Sequence, residues 1–363
     1  MIRIDEIYNN TFWPWLRKNK VGARLFFCDP PGKADVDSLF NLGSDNMVET
    51  DYVFLHDQEP VHLDLHKPLF DAVISRNQDI HCKPQGHIIV SEQGEYVDQL
   101  LAMYGWQSHY YFYHGWACKD WFRGYDKTFL IDRARNRQPT KTFISPNRII
   151  AGKRDHRVLF LYHVFKNQLE HNWISAPRTC VYENVDISVI ASKYNSIYTD
   201  IEQVLLSAQL PRLFPGEHVQ HMTSCWLTNF DEAADSLVYV PTETVYFGRR
   251  LHITEKTFKA IALEMPFVLV APAHSLRYMR SYGFQTFKGI FDESYDDETD
   301  DIIRIEKVTK LLTDLDNMTV KERQEIHRAC LPVVEHNFEH FYGSGFDQIL
   351  WAELKDMLHE LAI

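Results

Sequence analysis

Several absences narrow the possibilities. The 363 residues contain no apolar run of about 18 or more, the length a membrane-spanning helix needs, so no membrane partner is expected. No CxxC pair occurs among the six cysteines, Cys28, Cys82, Cys118, Cys180, Cys225 and Cys330. That scatter offers no zinc spacing and points to buried thiols in a reducing compartment. The opening MIRIDEIYNNTFWPW carries acids and lacks an apolar h-region, so the expectation is no secretory signal and a cytoplasmic setting. There is no internal repeat and no low-complexity tract. A basic surplus is missing too: 50 Asp and Glu against 38 Lys and Arg give a net charge of −12, which argues against broad polyanion binding. A local basic cleft remains compatible with that balance. The dense basic spots RARNR (133–137), KRDHR (153–157) and GRR (248–250) are short and read as solvated surface, as does the acidic run DDETDD (296–301).

What is present is a folded chain, 45% apolar and 24% charged, long enough for two domains. Short apolar, β-branched or aromatic runs alternate with helical patterns, the signature of an α/β protein with parallel sheets. In the first third the runs are ARLFFCD (23–29), DYVFLHD (51–57), AVIS (72–75), HIIVSE (87–92) and HYYFYHG (109–115). Between them EYVDQLLAMYGW (95–106) places Val97, Leu100, Leu101 and Tyr104 on one helical face, with Gly105 to end it. DRARNRQPTK (132–141) has the composition of a linker. Beyond it, strands are expected at KTFISPN (141–147), TCVYEN (179–184), DSLVYVPTE (235–243) and PFVLVAP (266–272), and a helix at DHRVLFLYHVFKNQL (155–169). The tail FDQILWAELKDMLHELAI (346–363) is an amphipathic helix.

One stretch poses a physical question. In ITEKTFKAIALEM a helix opens on Glu255 and Lys256, although the macrodipole favours an acid at that end and disfavours a base. The strand before it delivers Glu243 to its carboxyl end, where open α/β sheets place ligands. Next comes VYFGRRLH, in which Tyr246 precedes Gly248, free to adopt an unusual backbone, and Arg249 and Arg250 offer guanidinium groups. Thr254 is placed to cap the helix, whose first amides suit a phosphate. A diphosphate there would offset the cost of Lys256, and Glu255 would accept hydrogen bonds from ribose hydroxyls.

The run ITEKTFKAIALEMPFVLVAPAHSLRYMRSYGFQTF resembles the donor-binding segment of GT-B glycosyltransferases, in particular the α1,3-fucosyltransferase-like branch, with His252 where that branch commonly has Tyr. Similar segments recur in tailed-phage glycosyltransferases, including enzymes that sugar-decorate modified DNA bases. The likeness is concentrated in residues 236–290. It implies two Rossmann-like domains facing a cleft: 1–135 for the acceptor and 136–345 for a nucleotide-sugar, with a helix at 346–363 crossing back onto the first. KTFISPNRIIAGKRDHRVLFLYHVF (141–165) resembles the start of the second domain, where an arginine reaches the donor diphosphate; Arg154 or Arg157 takes that place, with Arg148 a third choice. FLHDQEPVHL (54–63) resembles the Glu-Ser-Pro turn tied to activation of the acceptor hydroxyl, making Glu59 the leading base and Asp57 the runner-up.

The implied activity moves a sugar from a UDP- or GDP-sugar to an acceptor hydroxyl, with no metal or further cofactor. Donor-side residues are Glu243, Tyr246, Arg249, Arg250, Thr254, Glu255 and Lys256 together with the three arginine choices. The acceptor divides into classes. One is a hydroxymethylated pyrimidine in double-stranded phage DNA, which would place the enzyme in a bacterial host cytoplasm. The other is a glycan or small hydroxylated molecule. A third reading is a nucleotide- or carbohydrate-binding module without turnover. Of the weaker features, HLDLH (62–66) has two histidines four apart but no third ligand, and VSEQGEY (90–96) is expected as a turn lining the cleft. The aromatic cluster at 106–122 is mostly core, with His114 and Trp116 candidates to stack on an acceptor base or sugar.

Overall fold

Ile88, Ile89 and Val90 are branched at Cβ and buried, and they form the middle of a parallel sheet rather than a helix. The computed structural model describes residues 4–18, 22–26, 52–56, 60–64, 67–68, 71, 86–181, 183–215 and 225–361. The candidate bases Asp57 and Glu59, the run AVIS and His66 of HLDLH lie outside them. The chain divides into two compact units, Met1–Asp120 with Arg249–His252 and Asp347–Ile363, and Trp121–Gly248 with Ile253–Phe346. Both are mixed α/β with parallel sheets. No helix among the described residues is long and apolar enough to cross a membrane.

In the first unit β1 (Gly22–Phe26), β2 (Tyr52–His56), β3 (Gly86–Val90) and β5 (Gln107–Tyr110) pair in parallel in that order. A short β4 (Gln93–Gly94) pairs antiparallel with Arg250–Leu251. Helix α1 (Glu95–Tyr104) buries Val97 and Leu100 against Val61, Ile88 and Val90, with Leu101 and Tyr104 partly covered, and Gly105 closes it in the left-handed conformation at φ 64. HYYFYHG was expected to stay extended to Gly115, but α2 (Tyr113–Trp121) begins inside it. There the ladder ends because its amides find other acceptors: Phe112 N–H donates to Glu353 and Tyr113 N–H to Ser91 Oγ.

The second unit opens with α3 (Lys127–Arg135), so the polar stretch expected as a linker is helical through Arg135. Its sheet has the order β7-β6-β8, with β6 at Lys141–Ser145, β7 at Trp173–Ile174 and β8 at Ser236–Tyr239. Every residue of β8 is buried, as expected of a strand covered on both faces. The run PFVLVAP lies beside β8 through parallel bridges at Tyr239–Phe267 and Thr242–Val270. The described residues of TCVYEN form no strand: Asn184 at φ 51 lies in a turn closed by Cys180 N–H to Val185 O, and Val181 is exposed. Helix α4 (His156–Lys166) follows β6, and α5 (Glu255–Ala262) precedes PFVLVAP. On α5, Phe258 packs between Phe284, Phe341 and Phe346. Further helices are α6 (Ser275–Ser281), α7 (Asp301–Asp316), α8 (Val320–Tyr342) and α9 (Ser344–Glu360).

The acidic run at 296–301 is not simply solvated. Asp296 is buried and accepts the Leu276 and Arg277 amides at the start of α6, while Asp300 caps α7 through the Ile302 and Ile303 amides. Both acids sit where a helix leaves amides without intrahelical partners.

Candidate functional site

The carboxyl ends of β6, β8 and the 266–270 segment lie on one edge of the second unit's sheet, and α5 starts there. A buried polar network fixes that edge. Asn147, after β6, donates to Ser145 O and Oγ, receives Thr242 Oγ1–H at 2.9 Å, and has its own amide bonded to Ser175 Oγ. Glu243, 0% exposed, accepts the Thr254 amide at 3.2 Å and the hydroxyls of Thr254 and Thr257, each at 2.6 Å. The strand-end acid is thereby an anchor for the helix start, with its oxygens committed inside the protein.

Thr254 caps α5 as the sequence indicates: it is extended, and its Oγ1 accepts from the Lys256 amide at 3.5 Å. The Lys256 ammonium folds back over the same turn, donating to Thr244 Oγ1 at 3.2 Å, Thr254 Oγ1 at 3.1 Å and Glu255 Oε1 at 2.9 Å. The acid–base pair that looked anomalous along the helix is an ion pair across its first turn, with Glu255 buried and Lys256 half-buried. Glu255 offsets the unfavourable placement of a cation at the positive end of the dipole.

Arg157 is 3% exposed. Its Nη1 donates to Ile149 O at 2.8 Å, and its Nη2 to Thr242 O at 2.7 Å and Glu243 O at 3.2 Å; Nε has no hydrogen-bond partner among the described residues. All its acceptors are neutral carbonyls. Burial, and next the charge of Arg154, lower the guanidinium's pKa, while Glu243 and Glu255 hold it up. The charge of half-buried Arg154 is therefore felt at Arg157, and the two lie with Glu255 in one electrostatic neighbourhood. Arg148 follows Asn147 on the same loop and is half-buried.

Three residues that the sequence did not single out complete the edge. His156 is buried, and burial followed by the Arg157 charge holds its pKa well below the usual range; its Nε2–H donates to Glu243 O at 3.1 Å. Its ring stacks on Tyr246 at 5.0 Å, and Arg304 covers Tyr246 with 4.4 Å to the ring centre. Arg304 also donates to Ala271 O, Glu298 O and Tyr246 O, tying together the loops that follow the strands. Thr244 supplies the outer contact to Lys256. His156 and Thr244 lie beside residues that were singled out, Arg157 and Glu243. Arg304 pairs locally with Asp301, but its bonds to Ala271 O and Tyr246 O, which bring it to this edge, come from residues distant in sequence.

Other candidates are placed elsewhere. Tyr246 is core, its hydroxyl donating to Asp301 O at 2.7 Å. Gly248 has φ 81, as its place in the loop requires. Arg249 and Arg250 belong to the first unit: Arg249 is exposed, and Arg250 is buried on Glu92 rather than presented to a ligand. Glu92 and Ser91 of VSEQGEY are likewise buried. His114 and Trp116 lie in the core of the first unit. His114 meets His252 edge to face at 5.2 Å, and Trp116 meets Trp351 at 4.6 Å, so neither ring presents a stacking surface. Among the described residues, no group of three His, Cys, Asp or Glu is arranged to hold a metal.

No protein-family model and no curated protein matches this sequence. One solved structure, described as trehalose-6-phosphate from E. coli bound with UDP-2-fluoro glucose, is similar over 97% of this chain and 84% of its own, at 12% identity and a TM-score of 0.40. A likeness that loose carries no weight for fold or chemistry.

Proposed function

We propose that this chain is a glycosyltransferase using a nucleotide-diphosphate sugar, with the diphosphate held at the start of α5. The observation that carries the reading is Arg157: a buried cation whose every contact is a neutral carbonyl, beside a capped helix start that already holds Lys256. The Glu243 and Glu255 carboxylates act on Arg157 without direct contact; burying a charge with no acid in contact is costly, and an anion at this edge would relieve the cost. On binding, the Lys256 ammonium exchanges Glu255 for a phosphate oxygen. The freed Glu255 carboxylate then accepts ribose hydroxyls. As the bond from the anomeric carbon to the diphosphate breaks, Lys256, Arg157 and the helix amides meet the charge that develops on the leaving oxygen. Arg154 and Arg148 are the further cations within the same loop.

The acceptor hydroxyl attacks the anomeric carbon and gives its proton to Glu59 or, failing that, Asp57. The GT-B arrangement and a role for the first unit in holding the acceptor belong to the same proposal. Fixed positive charge at α5 makes turnover independent of added metal, so activity is expected to survive chelation. A panel of UDP, GDP and their sugars should raise the melting temperature, and release of free nucleoside diphosphate from the sugar donor should follow. A protein stabilised by none of them would end the donor-site reading, and one stabilised without release would be a binding module.

A glycan or small hydroxylated molecule is the favoured acceptor. The DNA-base alternative draws on basic clusters in both halves, and each gives an arginine to the interior: Arg137 at 7% exposure, Arg157, and Arg250 at 5%. With a net charge of −12, less cationic surface is left for a duplex. Salt-dependent binding to duplex DNA at low ionic strength would reverse that preference.

A further inference from the structure

Three buried side chains of the second unit form a column beside Arg157. Arg304 of α7 is 1% exposed, and its guanidinium covers the Tyr246 ring at 4.4 Å from the centre. Tyr246 lies nearly flat on His156, the first residue of α4, with ring centres 5.0 Å apart and planes 12° from parallel. Phe247 closes the side, meeting His156 edge to face at 6.0 Å. The top of the column is fixed, because Arg304 donates to Ala271 O, Glu298 O, Tyr246 O and the Asp301 carboxylate.

At the foot of the column the imidazole meets Arg157's own acceptor. A carbonyl oxygen only accepts, so His156 Nε2 carries the hydrogen given to Glu243 O at 3.1 Å. The other ring nitrogen, Nδ1, is buried with no hydrogen-bond partner among the described residues. A proton there would add a cation to a place that already has several. Burial first, and then the charge of Arg157, keep it off, with Arg154 and Arg304 acting in the same sense. Arg157 Nη2 is divided between two carbonyls, Thr242 O at 2.7 Å and Glu243 O at 3.2 Å. A carbonyl oxygen has two lone pairs, and at Glu243 His156 and Arg157 take one each. The longer of the two contacts is the one that Arg157 shares. Glu243 cannot turn to improve it, since its amide is bonded to Val270 O at 2.9 Å and its carboxylate to Thr254 and Thr257.

We infer that His156 is a positioning residue for Arg157: by occupying Glu243 O it keeps the guanidinium from closing on that carbonyl and leaves Nη2 ready to turn to a diphosphate oxygen. The inference rests on the donor-site reading for the anion, and on the described contacts alone for the competition over Glu243 O. The rival role for His156 is a ring that fills the core and nothing more.

The test separates the donor from the ring. His156→Phe keeps a ring on Tyr246 and removes the N–H, whereas His156→Gln loses the ring and keeps an amide N–H in the place of Nε2. Two quantities are read: affinity for inorganic pyrophosphate, UDP and GDP by calorimetry, and the distance from Arg157 Nη2 to Glu243 O in ligand-free crystals. In the Phe variant that distance should shorten from 3.2 Å towards the 2.7 Å held to Thr242 O, and all three ligands should bind about ten-fold more weakly. The Gln variant should bind them much as wild type does, even with a lower melting temperature from the lost stack. A Phe variant with wild-type affinity, or with an unchanged distance, overturns the inference. So does a Gln variant that binds as weakly as the Phe variant, and weak binding by the Gln variant decides the matter alone if the Phe variant does not fold. A wild-type protein that binds none of the three ligands refutes the donor-site reading, while the crystals still decide the competition over Glu243 O.

Discussion

Two buried arginines, one in each unit, meet opposite electrical fates. Arg250 lies on a carboxylate that matches it oxygen for nitrogen, and the pair is complete without help. Arg157 is as deeply buried, yet its donors end on the carbonyls of Ile149, Thr242 and Glu243. Carbonyl dipoles solvate a cation without neutralising it. Arg250 thus has the chemistry of an internal fastening, while Arg157 is the cation on which the proposed diphosphate site rests, although the sequence presents each as an arginine in a short basic cluster.

The contrast is sharpest in stability. Arg250→Met strands Glu92 inside the first unit, and breaking a buried pair by removing one partner costs about 3–5 kcal/mol; denaturant unfolding should show it. Arg157→Met removes a cation that touches no acid, and buried Glu243 keeps its three hydrogen bonds, so its loss of stability should be the smaller of the two. Its distinctive effect should be loss of the thermal shift produced by nucleoside diphosphate, which Arg250→Met keeps. Equal stability losses with equal retention of that shift would erase the distinction.

Lys256→Ala should lower turnover by about 10²–10³-fold, on the scale of one preorganised donor to a developing anion, with a melting temperature close to wild type because the side chain is only half-buried. Thr254→Val removes the cap and one of the donors on Glu243, for a stability loss of about 1 kcal/mol, and should weaken diphosphate binding by loosening Lys256.

A third buried charge extends the comparison. Glu264, 1% exposed at the far end of α5, accepts no hydrogen bond among the described residues, and Arg135 comes only to 3.8 Å. Burial pushes its pKa from 4.5 up to about 7, with Arg135 pulling the other way. Between those values the folded chain holds a proton that the unfolded chain has lost, so stability contributed by this group is full below about 4.5 and falls away as the pH rises through about 7. Glu264→Gln should flatten that part of the stability–pH curve; a variant that retains the slope would place its origin elsewhere.

Much of the local structure was legible in the sequence because its causes are local. The Val97 and Leu100 face with its Gly105 stop, the Thr254 cap, the β6 and β8 runs and the left-handed Gly248 all depend on residues within one or two turns. At the candidate site the errors concern charge. Arg250 finds Glu92 across 158 positions, and Arg304 reaches Ala271 across 33, so no window of sequence reveals that either is buried. Glu243, Glu255 and Lys256 are brought together as expected, but Glu243 proves to be an anchor with no oxygen to spare. The aromatic cluster shows the same limit: its apolar character indicates core, yet only the Trp351 contact settles that Trp116 belongs there.

The bond from Glu243 to Thr254 spans eleven residues and draws a loop shut at its neck, like a purse string. Within that noose the chain departs from the second unit after Gly248 and rejoins it at Ile253. Whatever tugs on the middle of the loop meets the knot before it reaches the helix. Lengthening the loop by a few residues at Gly248 should therefore leave nucleotide affinity intact, since even doubling a loop adds only about 0.6 kcal/mol of closure entropy. Changes within the loop act on the segment that pairs with β4, and changes at the knot act on the start of α5.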